Sequence, residues 1–125
     1  MNARLECSNR DIAAAGMWQD QIKRILKAHQ QGERNDAMAQ DLKVLCICII
    51  HTIRDPYCQE KMCEVEIHTD ELFAADKRSR WGRSAQPSPI FLRRLILKSL
   101  EAFDDRLRAV EMLRQPEPGA RASGN

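Results

Sequence analysis

The side chains best suited to chemistry crowd into residues 46–68, where Cys46, Cys48, His51, Cys58, Cys63 and His68 are spaced Cys-x-Cys-x₂-His-x₆-Cys-x₄-Cys-x₄-His. Thiolates and imidazoles are zinc ligands, but structural zinc sites draw on pairs of cysteines about two to four residues apart. Here Cys46 and Cys48 would point to opposite sides of a helix, and Cys58 and Cys63 are too far around a helical turn to share an ion. A Cys–His nucleophile would need a tertiary contact, and thiols inside an apolar run have raised pKa values and low reactivity. The chain also lacks a glycine-rich phosphate loop, His-Glu-x-x-His and Gly-x-Ser-x-Gly, and it has five glycines in all. The cysteines therefore read as packing residues. No metal, no cofactor and no enzymatic activity are expected, and a zinc-dependent or thiol-dependent protein is the least favoured class.

Charge is the second chemical resource. The chain totals +2, yet residues 55–76 hold seven acidic groups and one basic, and residues 77–98 hold seven basic groups and no acid. The cations are Lys77, Arg78, Arg80, Arg83, Arg93, Arg94 and Lys98, with Trp81 among them. Guanidinium groups fork onto carboxylate or phosphate, and an indole stacks on a base or fills a protein pocket. Trp81 could equally plug the end of a helical bundle. These eight residues are the candidate partner-binding site. The competing expectation is that the acidic and basic segments pair with each other, at about 0–1 kcal/mol per exposed pair.

Four amphipathic elements must position these groups. The most apolar stretch is Val44–Ile53, and little of it is expected to face water. Ahead of it, Ser8 and Asp11 have capping-box spacing, and Ile12, Ala15, Trp18, Ile22, Ile25 and His29 recur at three- and four-residue steps. Gly32 suits the left-handed position after that helix, and His29 reads as structural. Asn35 or Asp36 caps a second helix with Met38, Leu42, Leu45, Ile49 and Thr52–Ile53 on its face. Residues 44–53 could also form a buried strand, but the helix-favouring lead-in from Ala37 to Lys43 argues for helix.

Asp55-Pro56 opens a third helix, with Cys58, Met62, Val65, Thr69 and Leu72–Phe73 along its face. Thr69 could cap a restart, so a kink or short break is expected at 68–71. Residues 81–87 read as a loop, and Ser88-Pro89 opens a fourth helix carrying Leu92, Ile96, Leu100, Phe103, Leu107, Val110 and Leu113. The expected architecture is all-α: a polar lead-in at 1–8, one domain at 9–114 built of four long helices in an antiparallel bundle-like arrangement, and a disordered tail at 115–125. Long narrow stripes also favour a homodimer.

The lack of an N-terminal apolar region, the odd number of cysteines and the short apolar runs point to a cytoplasmic protein without a membrane span. One local resemblance remains. Glu64-Val65-Glu66-Ile67-His68 alternates like a strand and is followed by a helix start at Thr69, then Gly82-Arg83-Ser84, then Phe91-Leu92-Arg93-Arg94-Leu95-Ile96. This order resembles a ribbon-helix-helix module over about a third of the chain and would imply DNA binding. It departs from that pattern in its outward Glu64 and Glu66, which repel phosphate, and in the Ala-Gln-Pro-Ser-Pro insertion. Two functions follow as expectations: a small regulatory or adaptor protein that binds a protein partner through helix faces and the basic loop, or a DNA-binding transcriptional regulator that uses 77–98.

Overall fold

The computed structural model describes residues 8–79 and 88–114, which form four helices: α1 (Asn9–Gln30), α2 (Ala37–Thr52), α3 (Pro56–Ser79) and α4 (Pro89–Arg114). Residues 1–7, 80–87 and 115–125 lie outside the described residues, and with them all but the last residue of the lead-in expected at 1–8, the loop expected at 81–87 and the tail expected at 115–125.

Local signals set most of the boundaries. Ser8 and Asp11 form a reciprocal capping box, each side chain accepting from the other's backbone N–H at 3.1 Å. At the other end of α1, Gly32 takes φ +100°. Its N–H donates to His29 and that of Glu33 donates to Ala28, which satisfies two orphan carbonyls. The carbonyl of His29 also accepts from Arg34 Nη1 at 2.7 Å. At the start of α2, the Asn35 carboxamide accepts from the N–H of Ala37 at 2.7 Å, while Asp36 makes no side-chain capping bond. Asp55 caps α3 by accepting from the N–H of Cys58 at 3.0 Å. Ser88 caps α4 by accepting from the N–H of Phe91 at 3.2 Å.

Each helix packs on two neighbours: α1 on α2 and α4, and α3 on α2 and α4. Cross-helix bonds give the directions. Ser99 donates to Glu64 and Arg106 to Asp55, so advancing along α4 means moving back along α3. Gln19 donates to Asp104, and His29 lies against Arg93, so α1 and α4 are antiparallel as well. Lys43 meets Asp70, and Gln59 donates to the carbonyl of Ile50, so α2 and α3 are antiparallel too. The result is the expected up-down-up-down bundle.

Its core holds Ile22, Leu42, Ile49, Met62, Leu72, Leu92, Ile96, Leu100 and Phe103, all essentially without solvent contact. Full burial of each is worth roughly 1.5–3 kcal/mol. The expected faces are largely those observed, with four corrections. In α1 the deepest positions are Ala15, Gln19, Ile22, Leu26 and His29, while Trp18 and Ile25 only flank the core. In α2, Cys46 is buried and Leu45 half-buried. The apolar stretch does meet water, because Val44 and Ile47 remain 45 % and 44 % exposed. A helix turns about 100° per residue, so an apolar run of this length reaches every side. Finally, α3 runs unbroken through 68–71, and the expected restart at Thr69 does not occur. Thr69 itself is fully buried.

Candidate functional site

The first turns of α4 carry the most unusual surface among the described residues. Leu92, Ile96, Ser99 and Leu100 turn inward. The three- and four-residue spacing then leaves Ile90, Phe91, Arg94, Leu97 and Lys98 on the outer side. The apolar members are far from buried, with Ile90 63 %, Phe91 50 % and Leu97 45 % exposed. Arg94 and Lys98 are exposed between them. A ridge that alternates large apolar groups with cations suits a partner combining apolar and acidic groups.

Arg93 behaves differently. It is half-buried, and its Nη1 lies 2.9 Å from Nδ1 of the buried His29. A guanidinium has no acceptor, so His29 Nδ1 accepts and this imidazole is neutral, with its proton on Nε2. The ring also meets Phe73 edge-on, with centroids 4.9 Å apart. Arg93 therefore ties α4 to α1 and is only partly available to a partner.

Of the remaining candidates, Lys77 and Arg78 fall on the last turns of α3, and their side chains lie outside the described residues. Arg80, Trp81 and Arg83 lie outside them altogether. The structure thus brings Arg94 and Lys98 onto one face, diverts Arg93 inward, and adds Ile90, Phe91 and Leu97. The signal for those three was present in the sequence: the start of α4 is apolar nearly all round, more than one buried stripe requires.

The acidic helix makes its bonds elsewhere. Asp70 pairs with Lys43 at 3.4 Å, Glu64 with Lys61 at 3.4 Å, Glu71 with His68 at 3.2 Å, and Asp55 with Arg106 at 2.8 Å. Among the described residues no ion pair joins the acidic 55–76 segment to the basic 77–98 segment.

Comparison with protein-family models, with curated proteins and with solved structures returned no match.

The cysteine-rich stretch is distributed over two helices. Cys46 and Cys58 are buried, Cys48 is half-buried and Cys63 is exposed. Burial, reinforced by the charges of Glu66, Cys63 and Asp70, pushes the Cys46 thiol up to about 12. It therefore holds almost no thiolate near neutrality. Among the described residues no three His, Cys, Asp or Glu side chains converge on a point where a metal ion could sit. The strand-like Glu64–His68 segment is helical and lies inside α3, so the ribbon of a ribbon-helix-helix module is absent there.

Among the described residues, open grooves mark the surface at two places. One, of about 360 Å³, lies between α1 and α2 and is lined by Gln21, Arg24, Ile25, Asp41, Val44 and Leu45. The other, of about 560 Å³, lies beside Tyr57, Ala102, Asp105 and Arg106. Among the described residues no helix is long and apolar enough to cross a membrane.

Proposed function

We propose that this protein is a small regulatory or adaptor protein that works by binding a protein partner rather than by catalysis, with the outer ridge of α4 as its docking surface. One observation carries this reading: Ile90, Phe91 and Leu97 are about half exposed or more, on a helix whose inward stripe is already filled. Leaving three large apolar groups in water is offset when a partner covers them. Arg94 and Lys98 supply charge selection at the rim, favouring an acidic amphipathic helix. The basic residues from Lys77 to Arg83 would extend the contact.

A triple variant, Ile90→Ser, Phe91→Ser and Leu97→Ser, tests this. Its side chains lie outside the core, so helicity should persist. Affinity capture from the native cell should lose the partner retained by the wild-type protein. Equal capture by both proteins would reject the α4 ridge as the docking surface.

Binding to DNA is the second reading, favoured by the acid-free run of seven cations over 77–98. Against it stand the acidic α3 packed directly beside α4 and the acidic Glu101 and Asp105 farther along α4. Phosphate contacts release counterions, so DNA binding would weaken steeply with salt and would tolerate loss of the apolar groups. A salt titration of generic duplex DNA against wild type and the triple variant separates the two readings.

A further inference from the structure

We infer that the α4 ridge docks on the acidic outer face of α3 in a second copy of this chain, forming a two-fold homodimer. This rests on the reading above and names the partner.

The complement needed by α4 is an acidic face with apolar groups at helical spacing, and the chain carries one. Tyr57, Glu60, Glu64, Ile67 and Glu71 recur along α3 at three- and four-residue steps and so share one side of the helix. Tyr57 is 43 % and Ile67 58 % exposed. Within one chain these acids make no ion pair with the basic segment among the described residues, which leaves the match open between chains.

The register makes that match possible. α3 and α4 are adjacent and antiparallel, and the bond from Ser99 to Glu64 places Lys98 level with Glu64. Arg94, one turn nearer the start of α4, is then level with the turn between His68 and Glu71. A two-fold axis parallel to the helices places α4 of one protomer opposite α3 of the other at the same height. Arg94 then faces Glu71 of the partner subunit, Lys98 faces Glu64 and Glu60 of the partner subunit, and Phe91 and Ile67 supply the apolar centre. Because the interface is isologous, each pairing occurs twice. Lys61 already neutralises part of Glu64, so Glu60 and Glu71 carry more of the attraction. Glu101 and Asp105 repeat the sign of Glu60, which confines close contact to the half of α4 that bears Phe91, Arg94 and Lys98.

Sedimentation equilibrium on the full chain tests this, with circular dichroism to confirm helicity. The wild type should be dimeric at low salt and dissociate as salt rises, because these pairs lie at a solvated rim. The charge-reversed variants Arg94→Glu/Lys98→Glu and Glu60→Lys/Glu71→Lys should each be monomeric. An equimolar mixture of the two should recover a dimer containing one chain of each. A wild type that stays monomeric at submillimolar concentration would overturn the proposal, as would a dimer that survives both reversals. A monomer that still loses its captured partner on substitution of Ile90, Phe91 and Leu97 would reject the second copy while leaving the docking ridge in place.

Discussion

Where α2 passes into α3, the carboxylate of Asp55 is 3 % exposed and accepts three bonds, from the N–H of Cys58 and from Nε and Nη2 of Arg106. At the opposite end, where α1 turns into α2 and α4 begins, the buried group is the neutral imidazole of His29, held by Arg93 at 2.9 Å. A buried anion is costly unless it is paired and fully bonded, so the first end can exist only as a closed network. A buried neutral ring needs less, because no net charge has to be desolvated. Of the acid-free run of cations, the described members Arg93, Arg94 and Lys98 lie on the part of α4 nearer this second end. The two ends thus hold their buried polar groups by different means, an ionised carboxylate in a closed network at one and an imidazole beside a guanidinium at the other.

The largest effect should come from breaking the closed end. Asp55→Ala removes the α3 cap and strands Arg106, and because that guanidinium is 34 % exposed the loss belongs at the lower end of the range for broken buried pairs, about 3 kcal/mol. Denaturant unfolding measures it. Asp55→Asn retains an acceptor for Cys58 but loses the ionic bond to Arg106, and should cost distinctly less. Equal losses would mean that the charge at position 55 contributes little.

Acid should expose the same asymmetry. Hydrogen bonds from Arg106 hold the Asp55 carboxyl below the usual carboxylate range, and the Cys58 N–H adds to this against the opposing effect of burial. A depressed folded-state pKa gives stability that is fully present above the unfolded value, about 3.9, and is lost as pH falls through the folded one. Wild-type stability should therefore drop below about pH 4 more steeply than that of Asp55→Asn, measured by urea midpoints at successive pH values.

A smaller effect is expected at the His29 end. Arg93→Met keeps the aliphatic packing but removes the donor to His29 Nδ1, which should cost about 1 kcal/mol. The ¹⁵N resonance of His29 Nδ1 should shift with it. Because Arg94 and Lys98 are untouched, partner binding should change little. A loss of binding as large as that from Arg94→Glu/Lys98→Glu would show that Arg93 belongs to the docking ridge.

Much of this frame was readable from the chain. Ser8 with Asp11, Gly32, Asp55-Pro56 and Ser88-Pro89 each mark a boundary through chemistry confined to a few neighbouring residues. What escaped depends on distant partners. Asp55 reads as a cap, but Arg106, 51 residues away, is invisible until α3 and α4 are docked. Gln19 sits in the core with its amide nitrogen 3.5 Å from Asp104 on α4, a contact that no local pattern encodes. The binding ridge was half legible: its cations stand out by count, but Ile90, Phe91 and Leu97 could be told from core residues only once the inward stripe was known. Arg93 looked like any other cation until His29 claimed it.

Thr69 gives the last and smallest test, and it bears on why α3 ignores its own restart signal. A threonine followed by two acids resembles a helix cap, yet Met62, Val65, Thr69 and Leu72 all face the core without solvent contact. A break at 69 would turn part of that stripe away from the core, and the lost burial outweighs a cap worth about 1 kcal/mol. The cost of continuity is a buried hydroxyl with no hydrogen-bond partner among the described residues. Thr69→Val replaces that hydroxyl with a methyl of similar size. It should leave helicity unchanged and raise the unfolding free energy by up to about 1 kcal/mol, because the desolvated polar group is gone. A loss of stability instead would mean that the hydroxyl has a partner, such as an ordered water, and that this end is as closed as the one built on Asp55.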